Sequence, residues 1–213
     1  MTFVPDASVM LAYTLASFIL FITPGPDMSL FLAKTVTGGR RAGMASMAGA
    51  LSGCGVHTLA AALGLSAVIA ASPTAFTVLK WIGAAYLAWL ALDALRNGSA
   101  LTMKEEERST PDLRKTFLLG FGVNLLNPKV ILFFITFLPQ FVEAGDPHAT
   151  GKFIFLGAYF ILFSIPPAIV MILGAERVIA TLRMKPRIMR AIDYCFAGIF
   201  GAFAVKILAA QAK

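Results

Sequence analysis

Charged residues are scarce in this sequence. Asp, Glu, Lys and Arg make up 14 % of the 213 residues, whereas apolar residues make up 58 %. A typical soluble domain carries about 25 % charged residues, because its surface must face water. The mean hydropathy of +0.80 agrees with that shortage. The composition therefore excludes an ordinary soluble fold and predicts an integral membrane protein.

Cysteine and histidine are also scarce, with two of each. Cys54 and Cys195 lie in apolar segments without a CxxC spacing, so we expect small buried apolar side chains rather than a redox or metal centre. His57 is the only histidine in a predicted span, and no serine motif accompanies it. An intramembrane enzyme would need a nucleophile and a base. We therefore expect no enzyme activity, no cofactor and no metal.

The sequence is rich in long apolar segments. Each membrane-spanning helix needs about 20 apolar residues. Six segments meet that need, at about 8–37, 42–71, 74–95, 114–140, 151–175 and 188–210. The polar stretch 97–113 separates two halves of three spans each, about 1–96 and 114–213. We expect an all-α membrane protein with six transmembrane helices in a single domain, 1–213.

Lysine and arginine are distributed unevenly between the predicted loops. The loops after spans one, three and five hold thirteen of them, and the opposite side holds four. Basic loops mark the cytoplasmic side of membrane proteins. We therefore expect the odd-numbered loops in the cytoplasm and both termini outside. The same distribution accounts for the net charge of +7 without a nucleic-acid partner.

The first apolar segment is interrupted by proline and glycine. In FITPGPDMSL, residues 21–30, Pro24 and Pro26 lack a backbone donor, and the residues before them, Thr23 and Gly25, are pushed out of helical geometry. The fourth segment is interrupted in the same way at Pro128, within NLLNPK. Each break lies in the first span of its half, and three-span halves enter the membrane from opposite sides. This pattern is typical of two inverted three-helix repeats with broken first and fourth helices, whose breaks mark a transporter's binding site.

Each break also carries a charged residue. Asp27 follows Pro26 in the first turn of a new half-helix, where the helix dipole favours a carboxylate. Asn127 is a good N-cap for the half-helix that starts at Pro128, but Lys129 in its first turn meets the positive end of the dipole. Lys129 therefore needs a negative partner, either Asp27 or an anionic group of a substrate. Charges at this depth are costly, and they indicate function.

Four stretches carry a family resemblance: FITPGPDMSL, WIGAAYLAWLALDALR at 81–96, NLLNPKVILFFITFLPQF at 124–141 and IDYCFAGIFGAFAVKIL at 192–208. Together they resemble the LysE/RhtB family of bacterial amino-acid exporters, with TPGP and NPK the most specific parts. The resemblance implies a six-helix inner-membrane protein that exports amino acids or close derivatives with the proton motive force. The sequence is more similar to the exporters of homoserine, threonine and homoserine lactone than to those of basic amino acids.

A transport hypothesis follows for the charged residues. An amino-acid carboxylate would dock against Lys129 and the backbone donors of the half-helix at Pro26, and the ammonium would face Asp27 and carbonyls freed near Thr23. Asp27 would also couple transport to protons, with His57 as a second candidate. Because few acids other than Asp27 lie in the spans, we expect neutral or small polar substrates. The predicted substrate-binding residues are Thr23, Gly25, Asp27, Asn124, Asn127 and Lys129.

Two other functions fit the same architecture. A passive channel for small polar solutes would also use broken helices. A six-span thiol-electron carrier would need cysteines beside those helices, whereas Cys54 and Cys195 lie in the second and sixth predicted spans. The small-residue stretch 42–55, which contains Gly49 and Gly53, indicates close helix packing, either within one chain or in a homodimer. The expected partners are the amino-acid substrate, protons and the lipid bilayer.

Overall fold

A computed structural model describes residues 5–97, 110–143 and 146–210, and every regular element in these ranges is helical. Most of the predicted polar loop at 97–113 lies outside the described residues. The α-helices are α1 Ala7–Ile22, α2 Pro26–Ala60, α3 Ser66–Ala71, α4 Pro73–Asn97, α5 Leu113–Leu125, α6 Pro128–Leu132, α7 Ala149–Leu173, α8 Ala175–Met184 and α9 Pro186–Ala210. Two π-helical segments, Ala61–Leu65 and Phe133–Phe137, and the 3-10 helix Leu138–Phe141 join some of them.

The first helix break lies between α1 and α2. Helix α1 ends at Ile22, and Thr23 and Gly25 both have extended backbone conformations. Pro26 then occupies the first turn of α2, where its missing N–H needs no partner and its ring fixes a helical φ. The two prolines thus divide the first apolar segment into two half-helices.

The second helix break lies between α5 and α6, and the chain bends there by 51°. Helix α5 ends at Leu125, and α6 starts at Pro128. Asn127 caps α6, because its side-chain oxygen accepts a hydrogen bond of 3.1 Å from the Lys129 N–H. Beyond α6 the chain continues as the π-helix Phe133–Phe137, a form that is rare and often found at functional sites.

The first and second predicted spans are joined by a kink rather than by a loop. Helix α2 runs from Pro26 to Ala60, and Gly39 is the one residue inside it with non-helical backbone angles, φ +80° and ψ 174°. Only glycine adopts this region without strain. We call residues 26–38 the first limb of α2 and residues 40–60 its second limb.

Within the described residues, four helices are long and apolar enough to cross a membrane, and the bent α5–α6 pair makes a fifth candidate. Many large apolar side chains on these helices face outward, such as Leu63 at 69 % and Val170 at 68 % exposure. In water such a surface would be costly, whereas in a bilayer it contacts lipid. The chain is therefore a multi-pass helical membrane protein.

Helix packing depends on small residues where α2 meets α5. A Cβ on Gly49 would lie 2.0 Å from the Phe117 carbonyl oxygen, and one on Gly120 would lie 2.2 Å from the Ser46 carbonyl oxygen. The two backbones approach closely because these side chains are absent. The stretch 42–55 is thus a packing face within one chain. On other sides α2 packs against α7, and α4 packs against α9.

Two expectations from the sequence are corrected here. The basic connection after the fifth span holds a helix, α8, whose Val178, Ile179 and Leu182 pack against a buried cluster. Cys195 is exposed, so the expectation that both cysteines are buried is wrong for it and right for Cys54. An outward-facing residue of a membrane helix contacts lipid, which accepts a small apolar side chain as readily as a protein core does.

Candidate functional site

The two helix breaks open onto one cavity. The space inside it that is open to the centres of water molecules is about 70 Å³. Asp27 from the first break and Asn124 and Lys129 from the second line it together. Its polar wall also includes Cys54 and Ser164, and its apolar wall is formed by Leu20, Phe21, Met28, Phe31, Met47, Ala50, Leu51, Val130, Phe160 and Ala168.

Lys129 reaches from α6 to the end of α1. Its Nζ donates to the Thr23 carbonyl at 2.7 Å and to the Leu20 carbonyl at 3.1 Å. These carbonyls belong to the last turn of α1, the negative end of that helix dipole. A Cβ on Gly25 would lie 3.1 Å from Nζ, so glycine leaves room for the ammonium group. Lys129 lies at the positive end of its own helix, α6, which is electrostatically unfavourable. Its contact with the negative end of α1 offsets this cost.

Asp27 binds Asn124 rather than Lys129. Its Oδ2 accepts a hydrogen bond of 2.7 Å from Asn124 Nδ2, while its Oδ1 is buried without a hydrogen-bond partner. No ion pair joins Asp27 to Lys129 in the described part of the chain. The site therefore holds a cation and an anion that do not neutralise each other by contact.

Asn124 is the centre of the polar network. It is 1 % exposed, and it can approach α2 because Gly53 has no side chain: a Cβ there would lie 2.4 Å from Asn124 Oδ1. Cys54 Sγ lies 3.5 Å from its Nδ2, and His57 Nε2 lies 3.4 Å from its backbone oxygen. The His57 ring also stacks on Phe134, with ring centroids 5.6 Å apart.

Cys54 was not among the predicted site residues. It is buried beside Asn124 at a broken helix, contrary to the expectation that both cysteines lie away from the breaks. The sequence did hold a signal for it, because Cys54 lies three residues before His57 and so shares a helix face with it. Within the described residues, no group of three or more His, Cys, Asp or Glu side chains is arranged to hold a metal ion.

The other predicted site residues lie around the same junction. Thr23 is 4 % exposed, and its hydroxyl donates to the Ile19 carbonyl at 2.6 Å, while its own carbonyl accepts from Lys129. Asn127 is 2 % exposed, and its Nδ2 has no hydrogen-bond partner. The Thr23 carbonyl, predicted to face a substrate ammonium, is thus occupied by a lysine of the protein.

An aromatic cluster packs beside the cavity. Phe160, which lines the cavity, packs against Phe133 at 5.0 Å and Phe134 at 5.9 Å between ring centroids. Tyr13 packs against Phe133 and donates a hydrogen bond of 2.9 Å to the Leu156 carbonyl. Tyr13, Phe133 and Phe134 are at most 2 % exposed. These side chains therefore form a solvent-excluded cluster next to the cavity.

A charged cavity between two broken helices, in a multi-pass helical protein, is typical of a membrane transporter. The comparison with known families agrees, because residues 18–211 match the LysE type translocator family. The chain belongs to this family, as the resemblance of its motifs implied. It is accordingly a translocator and not an enzyme.

Several relatives are similar over most of their length. The homoserine/homoserine lactone efflux protein of Salmonella typhimurium is 31 % identical over 189 residues, which cover 89 % of this chain and 90 % of the relative. An uncharacterized membrane protein of Vibrio cholerae is 34 % identical over 155 residues, 71 % of this chain and 73 % of the relative. One from Pseudomonas aeruginosa is 30 % identical over 203 residues, 93 % and 94 % of the two chains. No solved structure matches the chain.

Proposed function

We propose that this protein exports neutral amino acids or close derivatives across the bacterial inner membrane, driven by the proton motive force. Threonine, homoserine and homoserine lactone represent the expected substrate class. The observation that carries the proposal is that one cavity presents an ammonium group and a carboxylate that are not paired with each other. Threonine and homoserine carry the two complementary charges, whereas homoserine lactone, whose carboxyl group is esterified, would present only its amino group to Asp27.

The hydrogen-bonding capacity of the site matches an amino acid. The Lys129 ammonium has three N–H donors, of which two bind carbonyls, so one remains for a substrate carboxylate. The buried Oδ1 of Asp27 has no hydrogen-bond partner, and in this proposal it accepts a hydrogen bond from the substrate ammonium. Buried polar atoms normally have partners, so an unpartnered one in a cavity favours a ligand. Asn124 and Asn127 supply neutral hydrogen bonds beside these charges, and Gly25 keeps the approach to Lys129 open.

The substrate is expected to be neutral overall. Among the described residues, Asp27 is the only acid and Lys129 the only base that line the cavity. A cationic or anionic side chain would therefore be desolvated without a second opposite charge, which is costly in a low-dielectric site. The efflux function in the name of the Salmonella relative supports the direction of transport, and homoserine, one of the two compounds in that name, is neutral overall.

The proposed topology has six spans in two inverted halves. In this proposal α1 and the first limb of α2 form one broken span, and the second limb continues through α3 as the next. The second half then repeats this order with the broken α5–α6 pair, α7 and α9. The packing of α4 on α9 and of α2 on α7 supports the proposal, because a two-fold axis brings equivalent helices together. The whole chain, 1–213, forms one transporter domain.

We propose that the kink at Gly39 lies on the cytoplasmic side and both termini outside, because basic residues cluster near Gly39. The cavity extends toward this end, since Phe31 and Met47 line it on either side of the kink. The described conformation is therefore proposed to face the cytoplasm, with the aromatic cluster closed on the outside. A homodimer stays a prediction, because the small-residue face is used within the chain.

Proton coupling is proposed to depend on Asp27. A single carboxylate can hold a proton or bind a substrate ammonium, and exchanging one for the other links the two fluxes. His57 contacts the backbone of Asn124, which in turn binds Asp27, so it is the second candidate in a proton path. Neither role requires a cofactor or a metal.

The test is transport by purified protein in proteoliposomes, with threonine, homoserine and homoserine lactone as substrates. A carrier coupled to protons accumulates substrate against its gradient when a pH gradient is imposed, and a protonophore abolishes the accumulation. Downhill flux alone, insensitive to the protonophore, would instead identify a passive channel. A Cys54→Ala/Cys195→Ala double variant that keeps uphill transport eliminates the thiol-electron carrier.

A further inference from the structure

We infer that an apolar wall of the cavity, formed by Met28, Phe31, Met47 and Leu51, recognises the substrate side chain. This methionine wall selects medium-sized apolar side chains, such as those of leucine and methionine, over hydroxyl side chains within the neutral class. The inference rests on the proposed function, because it takes Asp27 and Lys129 to hold the amino and carboxyl groups.

The wall begins beside the charged groups and leads away from them. On the first limb of α2, Asp27 and Phe31 are four residues apart and share a helix face, so the apolar stretch extends about 5–6 Å from the carboxylate. That length is comparable to an extended leucine or methionine side chain. On the second limb, Met47 and Leu51 share a face in the same way and line the same cavity, and Met47 packs against the cluster that holds Met28 and Phe31. A substrate held at its charged end would therefore place its side chain against these four residues.

The wall belongs to a methionine-rich cluster. Met28 and Phe31 are 3 % and 4 % exposed, and Met44, Met47 and Met171 are partly buried against them. Four of the nine methionines of the chain thus gather at this place. Methionine is unbranched and polarisable, so it adapts its shape to different apolar groups. Such a wall fits a set of apolar side chains rather than a single one.

Polar side chains find little to bind along the wall. Ser164 lines the cavity, but its hydroxyl donates to the Phe160 carbonyl at 2.7 Å. The Cys54 thiol is a weak hydrogen-bonding group and contacts Asn124. A substrate hydroxyl would therefore lose water without an equal replacement. Each additional buried methylene, in contrast, raises affinity about fourfold.

The inference is tested by competition in proteoliposomes that exchange labelled leucine. Leucine and methionine should compete at concentrations about tenfold lower than threonine or homoserine, as a difference of one or two methylenes predicts. Met47→Ala should reduce this preference about tenfold while threonine competition changes little, and Met47→Leu should keep most of it. Met171→Ala is the matched control, because Met171 packs in the same cluster but does not line the cavity.

Three results would overturn the inference while leaving the proposed function intact. Threonine could compete as well as leucine in the unmodified protein, or Met47→Ala could weaken competition by all substrates equally. The third result is that Met171→Ala changes the preference in the same way as Met47→Ala. If the proposed function itself is wrong, the result is different: no amino acid exchanges or competes, whatever its side chain. Gel filtration in detergent shows that each variant is folded before transport is compared.

Discussion

The Lys129 ammonium nitrogen lies 2.7 Å from the Thr23 carbonyl oxygen and thereby connects the two broken helices. The two residues are 106 positions apart in the chain. The contact joins the last turn of α1 to the first turn of α6, so any substrate group that competes for Lys129 also acts on the position of α1. In our proposal, the side chain that holds the end of α1 is therefore also the one that binds the substrate carboxylate.

Lys129→Met should abolish export and also weaken the fold. The variant keeps the length of the side chain but loses the charge that binds Thr23, Leu20 and, in our proposal, the substrate. Loss of hydrogen bonds from a charged group costs about 1.5–3 kcal/mol. Thermal unfolding in detergent measures the stability of the variant. Binding of substrate to the folded fraction then separates the structural role of Lys129 from its role in substrate binding. Unchanged substrate affinity in the folded variant would show that Lys129 has a structural role only.

Asp27→Asn should separate substrate exchange from proton coupling. The amide can still bond to Asn124 but cannot take up a proton at neutral pH. We expect accumulation driven by a pH gradient to be lost, while exchange of labelled for unlabelled substrate persists with reduced affinity. His57→Gln, measured in parallel, shows whether the histidine shares the role. Proton-driven accumulation at the original rate in Asp27→Asn would remove this residue from the coupling step.

Gly53→Ala should impair transport because it displaces Asn124. The added Cβ would lie 2.4 Å from Asn124 Oδ1 and 3.0 Å from its Cβ, so the amide must move away from Asp27. Such overpacking costs about 1–3 kcal/mol. Gly55→Ala is the matched control on the same helix, since nothing lies within 4 Å of its added Cβ. Equal transport by the two variants, both folded, would contradict the assignment of Asn124.

The helix breaks were predictable because their causes are local. Pro24, Pro26 and Pro128 remove backbone donors at fixed positions, and Asn127 is a strong N-cap wherever it precedes a helix start. The apolar composition likewise indicates membrane helices without knowledge of their neighbours. These features follow from a few adjacent residues.

The partners of the charged residues were not predictable in the same way. Whether Lys129 binds Asp27 or the end of α1 depends on how helices more than 100 residues apart are placed. Cys54 was assigned to packing, because its contact with Asn124 exists only after α2 and α5 pack. Residue 39 is a kink inside one helix rather than part of a loop, and the adjacent Gly38 and Gly39 are compatible with either structure in the sequence alone.

Gly39→Ala should destabilise the kink between the two limbs of α2. Nothing lies within 4 Å of the added Cβ, so the effect comes from the backbone angles and not from a clash. A non-glycine residue in this region costs about 1–3 kcal/mol. Gly198→Ala, in helix α9 and also without contacts at the added Cβ, should be neutral or slightly stabilising. Equal melting temperatures for the two alanine variants would show that residue 39 adopts another conformation.

The last prediction concerns the turn before α7, where Asp146 bonds to the side chain of Lys152 and accepts a 2.8 Å hydrogen bond from the His148 N–H. Burial alone would raise the pKa of Asp146, but the Lys152 hydrogen bond and charge, together with the His148 N–H, outweigh it, so the pKa lies below its usual value of 3.8.

A carboxyl group whose pKa is lower in the folded state stabilises the protein above its unfolded pKa, and this contribution disappears as the pH falls through the folded pKa. Asp146→Asn should therefore lower stability by about 0.5–1 kcal/mol at pH 7, a small amount because charges near water are screened. The difference from the unmodified protein should shrink on acidification below about pH 4, where the unfolded carboxyl is protonated. Thermal unfolding in detergent at pH 7 and pH 3 measures the stability difference between Asp146→Asn and the unmodified protein. The same difference at both pH values would contradict the assigned ion pair.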